Sequence, residues 1–198
     1  NRNIDIENSL NITIHRNTIE SKWGFSGPPS WAPCIYISYS NQIIIINNTI
    51  YHISKSFPGI DISGSNGNII MGNLFYNNSE GIMCLDCKNN TISKNIICSS
   101  NYGILLHLSN NNSLHCNYIT GNLYGIFLDY KSKQNHVFNN TIESNYESGI
   151  SLNDKCENNY VYKNTIEYNN YGLLIHNYCN ENIIYYNSFI NNSIQSYD

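Results

Sequence analysis

Two side chains near the middle of the sequence, His107 and Asp129, could carry out acid–base chemistry. Each lies four residues after a glycine, Gly103 or Gly125, in two similar segments of the chain. A carboxylate that hydrogen-bonds an imidazole can orient it as a general base, so we take this pair as the candidate catalytic site. The two residues can act together only if the fold places their segments side by side.

The same position after later glycines carries Asn153 and His176, which we predict to be binding residues in one outward polar row. If the segments stack as neighbouring strands, His107 and His176 lie on the order of 14 Å apart, and one ion cannot be bound by both. A metal site would need His107 with Asp129, or His176 with a neighbour, and we predict no metal and no cofactor. The alternative interpretation of the row is a solvated polar strip without a ligand.

The sequence gives little support to two mechanisms of polysaccharide cleavage, uronate lyase chemistry and retaining glycoside hydrolysis. Chemistry on uronates uses Arg or Lys to neutralise the carboxylate, and none of the ten Lys and Arg residues lies two or four positions after a repeat glycine. Retaining glycosidases use two carboxyl groups about 5 Å apart. Glu143 and Glu167 share one repeat position and should be neighbours, but the alternative is two like charges in exposed turns.

An internal repeat supplies the elements that would position these residues. Its units follow one another at steps of 31, 25, 22, 22, 23, 24 and 23 residues. Repeats of this length indicate stacked units, each of which cannot bury its apolar face alone. The units align on one recurrent asparagine: Asn17, Asn48, Asn73, Asn95, Asn117, Asn140, Asn164 and Asn187.

Within each unit the apolar residues recur at every second position, as Ile104 and Leu106 do. This alternation and the abundance of β-branched residues predict strands. Three short strands in about 22 residues are typical of one coil of a parallel β-helix, with like residues stacked at roughly 4.8 Å between coils. We predict an all-β, single-stranded solenoid of about eight coils, 22–25 residues each, forming one domain over residues 1–198.

Three further repeat positions have structural interpretations. Inward asparagines should form an asparagine ladder, each amide bonding to the next coil and to turn backbone groups. The repeat glycines should lie where the backbone bends tightly or takes a positive φ. Cys156 and Cys179 fall in a column that otherwise carries serine and Cys87, so they should be neighbouring buried thiols. Their parallel Cβ directions do not favour a disulfide, and we expect free thiols.

One insertion breaks the period, over residues 21–33, and contains both tryptophans, Trp23 and Trp31. Its Pro and Gly residues exclude it from a strand ladder, which predicts a loop standing off the solenoid. Such loops often bind ligands, but the tryptophans could instead fold back to cover the first coils. The sequence starts within a coil and ends just after one, so we expect a fragment of a longer chain.

A column of outward aromatic residues, Phe138, Tyr162 and Tyr185, should stack on consecutive coils. Exposed aromatic strips suit sugar rings or a protein partner, although such a ladder can simply stabilise the sheet. Charged residues make up only 12% of the chain and the net charge is −4, which excludes the basic face of a nucleic-acid binder. No apolar run approaches the roughly 20 residues of a membrane span.

The repeat unit, NTIxxNxI followed by GIxLxxSNN, resembles the right-handed parallel β-helix repeats of the NosD-type family, periplasmic proteins tied to copper insertion into nitrous oxide reductase. The resemblance covers residues from Asn3 to about Asn192 and implies a right-handed helix. The same repeat occurs in carbohydrate-binding and sugar-hydrolase modules and in mannuronan epimerases. No epimerase-type Asp-Pro-His sequence is present.

Our functional prediction is a non-catalytic module located extracellularly, at the cell surface or in the periplasm. Its expected partner is a polysaccharide, a glycoprotein, or a companion protein or domain. Two alternatives stay open: a polysaccharide-modifying enzyme (lyase, hydrolase or epimerase) that uses His107 and Asp129, and a NosD-like copper-handling accessory protein.

Overall fold

The computed structural model describes residues 3–21 and 32–197, and these residues are all-β, with 25 strands and no helix among them. Three parallel sheets run along the molecule, and consecutive strands of the chain pass from one sheet to the next. Eight sets of three strands, followed by one last strand, form the predicted right-handed parallel β-helix. None of the described residues belongs to a helix that could cross a membrane.

Sheet 1 holds the segments that follow the repeat glycines. Its strands are β1 (Ile4–Glu7), β4 (Ile35–Ser38), β7 (Ile60–Ser63), β10 (Glu80–Leu85), β13 (Tyr102–His107), β16 (Tyr124–Asp129), β19 (Ser148–Leu152), β22 (Tyr171–Ile175) and β25 (Ile194–Tyr197).

Sheets 2 and 3 hold the segments before and after the aligned asparagines. The strands of sheet 2 are β2 (Thr13–His15), β5 (Ile44–Ile46), β8 (Ile69–Met71), β11 (Thr91–Ser93), β14 (Ser113–His115), β17 (His136–Phe138), β20 (Tyr160–Tyr162) and β23 (Ile183–Tyr185). The strands of sheet 3 are β3 (Thr18–Ser21), β6 (Thr49–His52), β9 (Leu74–Tyr76), β12 (Ile96–Cys98), β15 (Tyr118–Thr120), β18 (Thr141–Glu143), β21 (Thr165–Glu167) and β24 (Ser188–Ile190).

The apolar repeat positions line the interior of the solenoid. Ile104 pairs in register with Ile82 and Ile126, and all three are fully buried. Because side chains alternate between the two faces of a strand, the residues between them point outward. This register places residues of the same repeat position beside each other on neighbouring coils, which is what positions the candidate site.

Buried asparagines at the turns bond from coil to coil. The Nδ2 of Asn117 donates to Asn140 Oδ1 at 3.0 Å and to the carbonyl of Ile92 at 2.9 Å, while Asn140 Oδ1 also accepts the backbone N–H of Asn117. One such column is formed by the aligned asparagines, and a second by the asparagines five residues before them, such as Asn112 and Asn135. A third column lies five residues after the aligned asparagine and was not predicted: Asn78, Asn122, Asn145, Asn169 and Asn192, with Ser100 in one coil.

The repeat glycines do not have a positive φ, so the prediction of a positive φ at these positions is wrong. The described glycines with positive φ are Gly64, Gly67, Gly72 and Gly121, none of which starts a sheet 1 strand. A Cβ added to Gly103 would lie 2.5 Å from the carbonyl oxygen of Gly125 and 2.8 Å from Ile119 Cγ2. Glycine is therefore required because neighbouring coils approach too closely for any side chain at this corner.

Most of the inserted loop lies outside the described residues. Residues 22–31 include Trp23 and Trp31, so their predicted binding role stays a prediction. On the other side of this segment, Ala32 and Cys34 are buried and lead into β4.

Candidate functional site

His107 and Asp129 lie side by side on the outer face of sheet 1. They are register partners at the ends of β13 and β16, and His107 Nδ1 lies 2.9 Å from Asp129 Oδ2. The side chains are 33% and 22% exposed, so a ligand can reach both. His107 Nε2 has no partner among the described residues, and the carboxylate therefore holds the imidazole with its second nitrogen available.

The polar row continues along the solenoid through amide side chains. Asn153 donates from Nδ2 to Asp129 Oδ1 at 2.9 Å, and Asn177 donates from Nδ2 to Asn153 Oδ1 at 2.9 Å. His107, Asp129, Asn153 and Asn177 thus form one hydrogen-bonded row over four consecutive coils, which we call the polar row. Each planar group is oriented by its neighbour.

His176 occupies the predicted repeat position but is not the residue that continues the polar row. It is exposed, and its backbone N–H donates to the carbonyl of Leu152. Asn177, the next residue, has a φ of 56°, a turn conformation that brings its side chain to Asn153. Repeat counting alone could not separate these two adjacent positions, because the turn conformation decides which side chain faces Asn153.

Sequence reasoning also missed two residues beside the candidate catalytic pair. The Tyr130 ring stacks on the His107 imidazole, with ring centroids 5.4 Å apart, and Lys131 Nζ lies 5.0 Å from the Tyr130 ring centroid. A shallow groove next to this stack is lined partly by Lys88, Lys131 and Lys133. Lys133 is paired with Glu157 at 2.7 Å. Lys and Arg are therefore absent from the positions two and four residues after the repeat glycines, but Lys131 and Lys133 lie at the adjoining turn.

Aromatic side chains pack on the outer face of sheet 1 beside the polar row. Tyr102 and Tyr124 stack at 5.1 Å, and Phe127 meets both rings edge-on at 5.3 and 5.1 Å. We call these three residues the aromatic cluster. Burial raises the pKa of the Tyr102 and Tyr124 hydroxyls, so both stay neutral and can donate hydrogen bonds.

Several residues two positions after the repeat glycines are buried although they point out of the solenoid core. Asp61 and Ser151 are buried, and Leu174 nearly so. Asp61 Oδ1 accepts a hydrogen bond from Ser63, and burial raises the pKa of the nearby Glu80 carboxyl. The accessible part of this face is therefore centred on the polar row and the aromatic cluster.

A second set of aromatic residues lies on sheet 2, as the sequence predicted. Phe138 stacks on Tyr162 and Tyr162 stacks on Tyr185, both at 5.0 Å with nearly parallel rings. His115 extends the stack below Phe138 at 4.9 Å. Because the inner rings cover each other's faces, they present mainly their edges to solvent.

The candidate pair of glutamates, Glu143 and Glu167, lies in register on sheet 3. The Tyr118 hydroxyl donates a hydrogen bond to Glu143 Oε1. That hydrogen bond raises the pKa of Tyr118. One carboxylate is thus engaged by a tyrosine on the neighbouring strand β15.

Three of the seven cysteines, Cys87, Cys156 and Cys179, fall into the serine column of the repeat, and all seven cysteines carry free thiols. Cys156 is fully buried, and its Sγ donates to the carbonyl of Asn153 at 3.0 Å. Cys179, one coil further, is partly exposed and contacts Cys156. Within the described residues, no group of three or more His, Cys, Asp or Glu side chains is arranged to hold a metal ion.

Solved structures with the same fold have diverse activities. A mutant of the periplasmic alginate epimerase AlgG matches with a TM-score of 0.77, at 18% identity over 93% of this chain and 46% of that chain. An exopolygalacturonase from Thermotoga maritima matches with a TM-score of 0.74, at 14% identity over 86% and 45%. PfbA, a surface adhesin of Streptococcus pneumoniae, matches with a TM-score of 0.72, at 18% identity over 98% and 58%.

This chain spans about half the length of those proteins, and identities this low show the fold alone. No curated protein matches the sequence significantly. The profile of the family described as "Periplasmic copper-binding protein (NosD)" matches residues 29–166 and 87–198, which together span most of the chain. The chain therefore belongs to the NosD family of parallel β-helix proteins.

Proposed function

We propose that this chain is a non-catalytic carbohydrate-binding module of the periplasm or the cell surface, and that its ligand lies along the outer face of sheet 1. Of the solved structures compared, one is an alginate epimerase and one an exopolygalacturonase, both named for polysaccharide substrates. A polysaccharide or a glycoprotein glycan is the corresponding partner here.

The polar row is the observation that carries this proposal. Carbohydrate sites combine a few well-placed polar groups with aromatic surface. Here each side chain of the row is held by a hydrogen bond to the next, from His107 through Asp129 to Asn153 and Asn177. Groups oriented before binding lose little conformational entropy when a sugar hydroxyl replaces water. The aromatic cluster lies on the same face.

Sheet 1 is favoured over sheet 2 because the polar row lies beside its aromatic cluster. Sugar rings pack on the faces of aromatic rings, and the faces of Phe138 and Tyr162 are covered by their neighbours. Tyr185 lies at one end of this stack and is 39% exposed, so it is the member best placed to contact a ligand. The exposed ring edges of sheet 2 are better suited to contact a companion protein than a sugar.

The test begins with an array of neutral and acidic glycans and continues with titration calorimetry on any ligand found. We expect Asn153→Ala and His107→Ala to weaken binding at least tenfold, about 1.4 kcal/mol. The matched controls Phe138→Ala and Tyr162→Ala remove aromatic surface from sheet 2 and should change the affinity less than twofold. Trp23→Ala and Trp31→Ala test the inserted loop. If no glycan binds, or if only the sheet 2 variants weaken binding, the proposal is wrong.

A second candidate function is enzymatic, and the free Nε2 of His107 favours it. With Nδ1 bonded to Asp129, Nε2 could accept a proton from a sugar carbon or hydroxyl. Lys131 at the adjoining turn could face an anionic substituent. This candidate predicts that His107→Ala abolishes cleavage or epimerisation of a bound glycan while the protein stays folded. Activity that is unchanged by this substitution would remove the candidate.

A further inference from the structure

The outer face of sheet 2 differs from the other two faces of the solenoid in its charge. Within the described residues, the strands of sheet 2 contain no Lys, Arg, Asp or Glu, whereas those of sheets 1 and 3 contain acidic residues such as Asp129 and Glu143. Ile69, Ile183 and Tyr185 on sheet 2 are 37%, 49% and 39% exposed. A long uncharged strip of this kind marks a surface that contacts another protein.

The outward residues of sheet 2 change character in a symmetric order along the solenoid. On β5 and β8 both outward positions are aliphatic, as in Ile44 and Met71. On β11 and β14 they are polar, as in Thr91 and Ser113. On β17 and β20 they are aromatic rings, as in Tyr160. The face therefore has an aliphatic third, a polar third in the middle and an aromatic third.

This order makes the face complementary to itself. The midpoint of the eight-stranded sheet lies between β11 and β14. A two-fold axis through that point, parallel to the strands, exchanges β5 with β20, β8 with β17 and β11 with β14. A second copy related by this axis would lay its aromatic third on the aliphatic third of the first, and its polar third on the polar third. Rings pack well on aliphatic side chains and on methionine sulfur, and a two-fold interface requires such self-complementarity.

The charged residues at the two borders of sheet 2 select this arrangement. With the axis parallel to the strands, Lys94 after β11 faces Cys116 after β14, and Lys163 after β20 faces Asn47 after β5. Lys88 on the other border faces the uncharged turn before β14. A two-fold axis parallel to the solenoid would instead place Lys94 of one copy opposite Lys88 of its partner, and like charges placed opposite each other disfavour association.

The size of sheet 2 also suits an interface between two copies. Eight strands spaced about 4.8 Å apart form a face about 34 Å long, and with its two borders the face is about 20 Å wide. This gives roughly 700 Å² per copy, close to the about 800 Å² that each partner of a standard specific interface buries. The area is therefore sufficient for a dimer that forms and dissociates reversibly.

We propose that two copies of this chain associate through sheet 2, face to face, with their solenoid axes antiparallel. The aromatic third of each copy covers the aliphatic third of the other. The outer face of sheet 1 stays open in this dimer, so the proposal does not depend on carbohydrate binding.

The experiment measures self-association of the full chain by sedimentation velocity over a concentration series. Position 44 of one copy faces position 160 of the other, so Ile44→Lys or Tyr160→Glu alone places a charge against apolar side chains. We expect each to weaken dimerisation at least about tenfold. The double variant Ile44→Lys/Tyr160→Glu places opposite charges across the interface twice and should return the dimerisation constant to within about threefold of the parent value.

A matched control lies on sheet 3, where Ile96 is 48% exposed. Ile96→Lys adds the same charge to another outward isoleucine and should leave dimerisation unchanged. Far-ultraviolet circular dichroism checks that each variant folds. Because the Tyr160 ring stacks on His136, the pair Ile46→Lys and Tyr162→Glu, which also face each other, replaces the first pair if Tyr160→Glu does not fold.

Four results would overturn the proposal. A parent protein that stays monomeric at every concentration would exclude a second copy and leave a companion protein as the occupant of sheet 2. Single variants that associate as strongly as the parent, or an equal weakening by Ile96→Lys, would place the interface elsewhere. A double variant that remains as weak as the single variants would contradict the antiparallel two-fold arrangement.

Discussion

Replacing Asn140 by alanine tests whether the buried asparagines hold the coils together. Asn140 Nδ2 donates to the carbonyl of Leu114 at 2.9 Å and to Asn164 Oδ1 at 3.0 Å. Its Oδ1 accepts the backbone N–H and the side-chain amide of Asn117, both at 3.0 Å. Asn140→Ala removes all four hydrogen bonds from a side chain that is almost fully buried.

The size of the effect follows from which groups lose their partners. The Asn117 amide keeps its bond to Ile92, and Asn164 Oδ1 keeps the backbone N–H of Asn140. The backbone N–H of Asn117 and one lone pair of the Leu114 carbonyl are left inside the turn without Asn140. An unsatisfied buried polar group costs about 1–3 kcal/mol, so we expect a loss of about 2–6 kcal/mol in the free energy of unfolding. That is a large fraction of the about 5–15 kcal/mol typical of a folded domain.

The adjacent residue gives a matched control. Asn139 is exposed with a φ of 53°, a conformation that glycine adopts readily, and its backbone N–H bonds to Tyr162 whatever the side chain. Asn139→Gly should therefore change the stability by less than about 0.5 kcal/mol.

Equilibrium urea unfolding, followed by circular dichroism, measures both variants. Hydrogen exchange then identifies the coils that are destabilised, because stacked repeats can open locally. Protection should fall first in the coils that contain Asn117 and Asn164. If Asn140→Ala loses less than about 1 kcal/mol, or no more than Asn139→Gly, the asparagine bonds are not a main source of stability and this reasoning is refuted.

Two further predictions concern the packing and the pH dependence of the fold. Gly103→Ala should destabilise the protein by about 1–3 kcal/mol in the same urea assay, because the new methyl group meets the Gly125 carbonyl and Ile119, and unchanged stability would contradict the close approach. Burial lowers the pKa of His52, whose Nε2 lies 3.2 Å from the carbonyl oxygen of Pro58, so the unfolded chain takes up a proton more readily than the folded one. The contribution of neutral His52 to stability should be fully present above the unfolded pKa of about 6.5. It should be lost as the pH falls from there through the lower folded pKa. His52→Gln should flatten the curve of melting temperature against pH below about pH 6.5. An unaltered slope would show that other groups cause the loss of stability in acid.

The fold could be predicted because its signals are local and repeated. The alternation around Ile92 and Ile97, copied in every unit, predicts strands and their register at once, and the register then predicts the contact between His107 and Asp129. The third asparagine column was equally readable, since Asn122 lies ten residues after Asn112 as Asn145 does after Asn135. Ser100 interrupts this column in the unit that contains Asn90 and Asn95, which hides the pattern there.

The remaining details depend on backbone conformation that no single unit reveals. The requirement for glycine at Gly103 arises from the carbonyl of Gly125 one coil away, not from the φ of Gly103. Asn177 joins the polar row because of a turn, and Lys131 reaches the Tyr130 ring for the same reason. Turn residues leave the strict two-residue alternation, so their side-chain directions do not follow from the repeat.

The most direct test of the proposed function is a nuclear magnetic resonance titration of protein labelled with ¹⁵N at its histidine rings. A glycan selected on the array is added, and the ring resonances of each histidine are followed. We predict that His107 shifts in proportion to occupancy, together with His176, which directly follows the sheet 1 strand β22. His115 and His136 lie in sheet 2 strands and should not respond. Shifts confined to His115 and His136, or no shift at His107 on saturation, would contradict binding along the outer face of sheet 1.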